Sequence, residues 1–315
     1  MSGSEAIVMG DDVEEATPLL SLEDDEMRQE ASNDEWAYRQ AERLVGGMPG
    51  RTGGADRRTE GEVFDHPTLM VLHRLLTHGT LKSLDFPIST GKEANVFRGT
   101  TPRGAFVAVK IYRINTATFK HVQQYIEGDE RFEGRTGDRR GLVHAWCQKE
   151  HRNLLRLRDA GVAVPESQKA IGNVLVMEYL GTKEGPWPRL KEMTPIGDAE
   201  RIYKDLVEDY IRAYNVADLI HADLSEYNIM LEGTDDPATS WRPRMIDVGQ
   251  AVLKNHPMAK QFLERDVKNL TAFFRRQGVD AKPEDVIARL DHQRRQERER
   301  PVKIRPALGD DEEEL

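Results

Sequence analysis

Cysteine is nearly absent from this chain: Cys147 is the single one in 315 residues. An internal disulfide cannot form, and a cysteine-based zinc cluster is excluded. Long apolar runs are missing too, and no stretch reaches the roughly 18 apolar residues of a membrane span. The N-terminus lacks the basic-then-apolar order of a secretory signal. From these absences we expect a soluble, cytoplasmic protein with no membrane partner. Apolar residues are scarce, at 38% against roughly 45–50% in globular chains. That deficit is local. Residues 1–60 carry 15 acidic and 6 basic side chains, a net of −9 out of −10 for the whole chain. Few apolar residues, high charge and the glycine-rich GGMPGRTGGAD predict an acidic, disordered extension over 1–60. A short helix around residues 34–44 could order there against a partner. The charged tail 295–315 is expected to be extended.

What is present is a body with strands first and helices after. Residues 65–81 have apolar residues at 69, 72, 75 and 76 and a stop at Gly79, the pattern of a helix. KSLDFPI, ANVFRG and AFVAVKIY read as strands, the last two joined by the turn TTPRG and the first two by STGKE. Residues 126–141 are charged, glycine-rich and without periodicity, so a flexible loop is predicted. LVHAWCQKEHRNLLRLRDAG carries the helical stripe Val143, Trp146, Leu154 and Leu157, closed by Gly161. NVLVMEYLG (173–181) reads as a buried strand. DAERIYKDLVEDYIRAYN places Ile202, Leu206, Tyr210 and Ala213 on one helical face, with Asp198 as N-cap. RMIDV is a short strand, and helices are expected near 257–276 and 283–294. No internal repeat is visible. The order describes an α+β chain of two unequal lobes: a helical segment 61–81, an N-lobe 82–180 with loop 126–141, and a C-lobe 181–294.

Chemistry enters with LIHADLSEYNIM (219–230), polar in the middle and apolar at both ends. It is either a solvated turn or a catalytic loop. Lys110 sits in a strand whose alternate residues should be buried, and lysine is seldom buried unpaired. Glu150 lies four residues from both Trp146 and Leu154, so it projects from an apolar stripe and needs a cation, for which Lys110 is the natural candidate. The turn STGKE can offer backbone N–H groups to phosphate oxygens, with Ser89 and Lys92 adding donors. Asp223 can orient an attacking hydroxyl. Asn228, five residues on, can give its carbonyl oxygen to Mg²⁺, with Asp247 of RMIDVGQ as the second metal ligand. His221 reads as a structural hydrogen-bonding residue, and Ser225 and Glu226 either touch substrate or cap the turn. Glycine turn, strand lysine, helix glutamate, H-x-D-x-x-x-x-N and I-D-V-G, in that order, point to a protein-kinase-like site.

At STGKEANVF (89–97), VAVKIYRI (107–114), RNLLRL (152–157), VLVMEYLG (174–181), HADLSEYN (221–228) and IDVGQAV (246–252) the sequence resembles the RIO family of atypical protein kinases, in its type-one subgroup. The likeness covers roughly residues 63–290. It implies a small antiparallel-sheet N-lobe and a mainly helical C-lobe without an activation segment. It also implies ATP and Mg²⁺ as cofactors, with Mn²⁺ as a substitute. Ser89, Gly91 and Lys92 would line the triphosphate, and Lys110, paired with Glu150, would hold the inner phosphates. Met177 would gate the adenine pocket, with backbone groups of Glu178 and Leu180 binding adenine. Asp223 would be the catalytic aspartate, and Asn228 and Asp247 the metal ligands. The residue matching Asp247 is also a candidate phosphate acceptor in this family.

The sequence departs from ordinary protein kinases in two places. Ser225 stands where a lysine usually follows the catalytic aspartate, so transition-state charge must be met by another group. No A-P-E follows Asp247, which puts peptide binding in doubt and makes slow ATP hydrolysis plausible. Gly249, where the family often has serine, should matter little. The resemblance implies a serine/threonine kinase or ATPase acting in maturation of the small ribosomal subunit, whose precursor or RNA would be the partner. Competing readings are a small-molecule phosphotransferase, disfavoured by Ala222 where those enzymes have glycine, and a nucleotide-gated scaffold. Arg131, Arg135, Arg139, Arg140, Arg152, Arg156 and Arg158 could form an RNA-facing patch or a solvated surface. The length suits an archaeal member.

Overall fold

The computed structural model describes residues 64–114, 125–126, 129, 131, 138–193, 195–233 and 241–290. The acidic extension, the short helix expected within it, most of loop 126–141 and the tail lie outside the described residues.

The first helix, α1 (His66–Thr77), begins where the Asp65 carboxylate accepts the Thr68 N–H at 3.0 Å. A proline in its first turn is tolerated there because that N–H has no helical partner. The helix ends before Gly79, whose φ of +70° suits glycine. Its buried face (Leu69, Val71, Leu72, Leu75) packs on Phe97, Val107, Val109 and Val176 of the sheet. Each such side chain contributes on the order of 1.5–3 kcal/mol when fully buried.

That sheet has five antiparallel strands: β1 (Ser83–Thr90), β2 (Ala94–Thr100), β3 (Phe106–Tyr112), β4 (Ser167–Ile171) and β5 (Val174–Glu178), in spatial order β1-β2-β3-β5-β4. Pro87 is tolerated because β1 lies at the edge. The central β3 is buried from Val107 to Tyr112, rather than on alternate residues as the sequence suggested. Helix α1 covers one face of it and helix α2 (Arg139–Asp159) the other. Strand β4 was not anticipated, since SQKAI is too polar to read as a strand. It forms as the hairpin partner of β5, at the other edge. Helix α2 starts at Arg139, inside the stretch read as loop, because the Asp138 carboxylate caps the Gly141 N–H at 2.6 Å.

The C-lobe is built from α3 (Ala199–Asn215), β6 (Leu219–Ile220), β7 (Ile229–Gly233), β8 (Trp241–Met245), β9 (Val252–Leu253), α4 (Ala259–Arg276) and a helix over residues 283–290. Asp198 occupies the N-cap position of α3, but its carboxylate binds Arg201 and makes no cap hydrogen bond. Two short ladders matter for function. β7 pairs with β8, and β6 with β9. The first ladder continues into the Ile246 N–H, which donates to Asn228 O at 3.0 Å. Residues 228 and 247, far apart in sequence, are thereby held at the same end of one hairpin. Helix α4 is reached soon after β9, leaving no room for an activation segment. The molecule has the expected two-lobed α+β, kinase-like fold.

Candidate active site

Lys110 stands at the centre. It reaches across from β3 to the Glu150 carboxylate of α2, at 2.8 and 2.7 Å from the two oxygens, and to Asp247 Oδ1 at 3.0 Å. Tyr112 adds a short hydroxyl hydrogen bond to Glu150 Oε2. β3 brings Lys110 and Tyr112 to the α2 side because they sit two residues apart on one face. Burial alone would depress the Lys110 ammonium, but the carboxylates of Asp247 and Glu150 outweigh it and raise its pKa above the ordinary value. Burial pushes the Glu150 carboxyl up to about 7, with Lys110 pulling against it. Asp247 differs: the Lys110 ammonium holds its carboxyl below the usual value, and its side chain is 49% exposed. One carboxylate anchors the lysine from inside while the other is open to a ligand.

Asp247 has φ +59° and Ala222 has φ +62°, both left-handed. Aspartate tolerates this region; alanine has no such side-chain compensation. At Ala222 the conformation is imposed from beneath by Asp266 of α4. The buried Asp266 carboxylate accepts the Ala222 N–H at 2.7 Å, the Leu224 N–H at 3.0 Å and the Tyr210 hydroxyl at 3.1 Å. Arg265 also donates to the Ala222 carbonyl. The loop 221–228 is therefore clamped from below, which lifts Asp223. Asn228 Nδ2 donates to Asp223 O at 2.8 Å and to Asp223 Oδ2 at 2.9 Å. Burial raises the Asp223 pKa; His221 pulls it down and Asp247 adds to the rise. His221 itself meets the Ile246 carbonyl at 3.1 Å through Nε2. Ser225 accepts the Asn228 N–H through its carbonyl, and Glu226 is tied to Arg276 at 3.1 Å.

Across the cleft, Ser89 lies one residue before the end of β1, and the turn through Gly91 and Lys92 is exposed. A Cβ on Gly91 would come within 2.9 Å of the Ala94 carbonyl, whose oxygen accepts the Gly91 N–H. Glycine is thus required by close backbone approach. Met177 pairs with Ala108 in the sheet and lies partly buried against the core. In the connecting segment the Glu178 N–H donates to Glu166 O at 2.7 Å and the Leu180 carbonyl accepts from Trp187 at 3.0 Å. The Glu178 side chain is held by Arg244 at 2.6 Å, which ties the segment to β8.

Three supporting residues escaped the sequence reading. Asp266 appears in the run HPMAKQFLERD, four residues from Phe262 and from Leu270, the spacing that singled out Glu150. Lys149 is fully buried and donates to the Gly249 carbonyl at 3.2 Å and to the Ala251 carbonyl. Asn153, one turn further along α2, donates to the Val248 and Ala251 carbonyls at 2.9 and 3.2 Å. Lys149 and Asn153 together hold the loop 247–251 from behind. Gly249 was expected to matter little, yet a Cβ there would lie 3.1 Å from Trp146 Nε1 and 3.3 Å from Glu150 Oε2. Of the proposed arginine patch, Arg131, Arg140, Arg156 and Arg158 are each paired with a carboxylate.

A family model for the RIO domain matches residues 95–287. The chain is 43% identical over 224 residues to the RIO-type serine/threonine-protein kinase Rio1 of Haloferax volcanii, covering 71% of this chain and 74% of that protein. It is 40% identical over 232 residues to the protein of that name from Methanocaldococcus jannaschii, covering 73% and 76%. Among solved structures, the Rio2 kinase from Chaetomium thermophilum shares the fold at 22% identity, with a TM-score of 0.54 over 74% of this chain and 78% of that one.

Proposed function

The chain belongs to the RIO family, as an atypical serine/threonine protein kinase of the Rio1 type, and from that premise we propose how its residues act. The observation that carries the reading is the Lys110 ammonium, held between a buried Glu150 and a half-open Asp247 and facing a loop that presents Asp223 and Asn228. Such a site transfers the terminal phosphate of ATP. Lys110 holds the inner phosphates, while Ser89, Gly91 and Lys92 line the triphosphate chain. Met177 gates the adenine pocket, with the base set against Glu178 and the Leu180 N–H. Asp223 orients the acceptor hydroxyl and takes its proton; its raised pKa suits that exchange. We place the boundary between the lobes at residues 180 and 181.

The donor set fits a divalent cation. Asn228 uses its amide nitrogen on Asp223, which leaves Oδ1 as an acceptor, and Asp247 is half exposed. Among the described residues no cluster of three or more His, Cys, Asp or Glu could hold a metal. Two protein oxygens completed by phosphate and water are the habit of Mg²⁺, with Mn²⁺ a substitute. When bound, the cation would neutralise charge on the phosphates. The protein's own contribution is to hold the two oxygens on one hairpin end.

A solved Rio2 kinase relative is described as an ADP/Mg²⁺-phosphoaspartate complex. For this chain we place the acceptor choice between a protein hydroxyl, water and Asp247 itself, so that ATPase activity accompanies the kinase. A role in maturation of the small ribosomal subunit rests on family membership. Among the described residues no helix is long and apolar enough to cross a membrane.

Incubation with γ-labelled ATP and Mg²⁺ should give labelled protein or free phosphate, both lost in Asp223→Ala and Lys110→Ala. Label released by hydroxylamine would mark an aspartyl phosphate. Tight nucleotide binding with neither product would leave a nucleotide-gated scaffold instead.

A further inference from the structure

Ser225 leaves this site without the lysine that ordinary kinases place two residues after the catalytic aspartate, and Lys110 is already engaged by two carboxylates. A second cation is nevertheless present in the cleft. Arg189 lies in the segment before the short helical turn Leu190–Glu192. Its main chain is fixed to the C-lobe: it forms a bridge with Met230 of β7, and its N–H donates to Glu192 Oε2 at 3.0 Å. The next residue of β7, Leu231, donates to the Pro188 carbonyl at 2.9 Å. The arginine is thus held just beyond Asn228 on the strand that carries the catalytic loop.

From that base the side chain crosses to the other lobe. Arg189 Nη2 meets Ser89 Oγ at 3.3 Å, one hundred residues away in sequence. Among the described residues no carboxylate forms an ion pair with Arg189. The other arginines near the lobes contrast with it: Arg98 binds Asp85, and Arg244 binds Glu178 and Glu232. Among the described residues this half-buried guanidinium with five donors is joined by one long hydrogen bond to a neutral hydroxyl, which leaves its other donors open to a ligand. A phosphate group satisfies them bidentately. Ser89, Lys110 with Asp247, and Asp223 with Asn228 surround the place where such a group would enter.

We propose that Arg189 is a catalytic residue of this site: its guanidinium leaves Ser89 Oγ for the terminal phosphate of the bound nucleotide and stabilises the charge that develops there during transfer. The proposal rests on the phosphoryl-transfer reading above. In that step the bond from the terminal phosphorus to the bridging oxygen breaks, and its electron pair leaves with the nucleoside diphosphate. A bond forms to the acceptor oxygen; from a hydroxyl or water the proton passes to Asp223, whereas the ionised Asp247 carboxylate accepts the phosphoryl group with no proton to give up. Arg189 acts as a charge supplied in cis, as an arginine finger does in other phosphoryl-transfer sites.

The test compares wild-type protein with Arg189→Gln and Arg189→Lys by titration with ADP and a non-hydrolysable ATP analogue, both with Mg²⁺, and by single-turnover ATP cleavage. Arg189→Gln should slow turnover by about 100-fold or more and weaken the analogue by about 10-fold while leaving ADP within about twofold. Arg189→Lys should recover part of the rate, and neither variant should change the melting temperature. Turnover within about twofold of wild type in Arg189→Gln would overturn the proposal. So would an equal loss of ADP and analogue binding together with a lower melting temperature, the mark of a strut between the lobes. If wild-type protein binds both nucleotides yet does not cleave ATP, the kinase reading fails by itself. The selective loss of the analogue, present or absent, then still decides whether Arg189 meets the terminal phosphate.

Discussion

Two lysines are buried among the described residues, and they lie on opposite sides of one loop and behave in opposite ways. Lys110, on β3, faces the front of residues 247–251 and meets two carboxylates, which keep it charged despite burial. Lys149, on α2, reaches the back of the same loop and meets carbonyl oxygens. Burial there wins: its pKa is lowered to about 7, with Asp129 pulling up and Arg131 pushing down. The difference lies in what each environment can return for desolvation. Full carboxylates repay an ammonium; neutral dipoles do so only in part. The front lysine is a charge held ready for phosphate, whereas the back lysine is a hydrogen-bonding brace.

The largest effect should come from breaking the front. Lys110→Met is expected to reduce single-turnover phosphoryl transfer by about 100- to 1000-fold. It should also destabilise the fold by about 3–5 kcal/mol, because Glu150 is left buried without its cation. Urea melts and quench-flow measure both. If Lys149→Met proved as damaging to turnover, the distinction between charge and brace would be lost.

The next effect is a pH dependence belonging to the back. The folded pKa of Lys149 is about 7 and its unfolded value is 10.5. Between these the unfolded chain binds the proton that the folded chain has released, so stability rises with pH. The burial penalty is present in full below the folded value and is relieved on going up. The unfolding free energy of wild type relative to Lys149→Met should therefore be flat in acid and grow above neutrality, by up to about 1.4 kcal/mol per pH unit. Chemical melts from pH 6 to 9 would show it; a difference that does not change with pH would contradict the assignment.

The smallest effect concerns the residue between the two. Gly249 offers its carbonyl to Lys149, while a Cβ added to it would lie against Trp146 and Glu150. Gly249→Ser should cost about 1–3 kcal/mol through overpacking. Turnover should fall only modestly, as the neighbours of Glu150 shift by tenths of an ångström. Unchanged stability would show that Trp146 moves aside freely.

The front of the site was legible and the back was not, for a physical reason. Lys110, Glu150, Asp223, Asn228 and Asp247 are polar residues inside apolar runs, and their order along the chain carries chemistry. Asp266 and Lys149 are also polar residues in helices. Spacing could have marked Asp266 as buried, but which backbone groups Asp266 and Lys149 hold is set by packing, which no spacing reveals. Strand β4 was missed for a related reason: SQKAI is an edge strand with two exposed residues, held by its hairpin with β5. The start of α2 was misplaced because one aspartate cap outweighed the loop-like composition around it. Gly249 looked neutral because its constraint is the distance to a neighbouring indole.

By itself the sequence determined the two-lobed order, the residues that can do phosphoryl chemistry and the lack of an activation segment. These follow from periodicity and from charged side chains that would be costly to bury without a purpose. Only the tertiary structure decided how the loops are held: Ala222 in a left-handed conformation over Asp266, loop 247–251 against Lys149 and Asn153, and Arg189 across the cleft to Ser89. Those contacts join residues 40 or more positions apart. Distances of that kind are set by how helices and strands pack, not by any local preference of the chain.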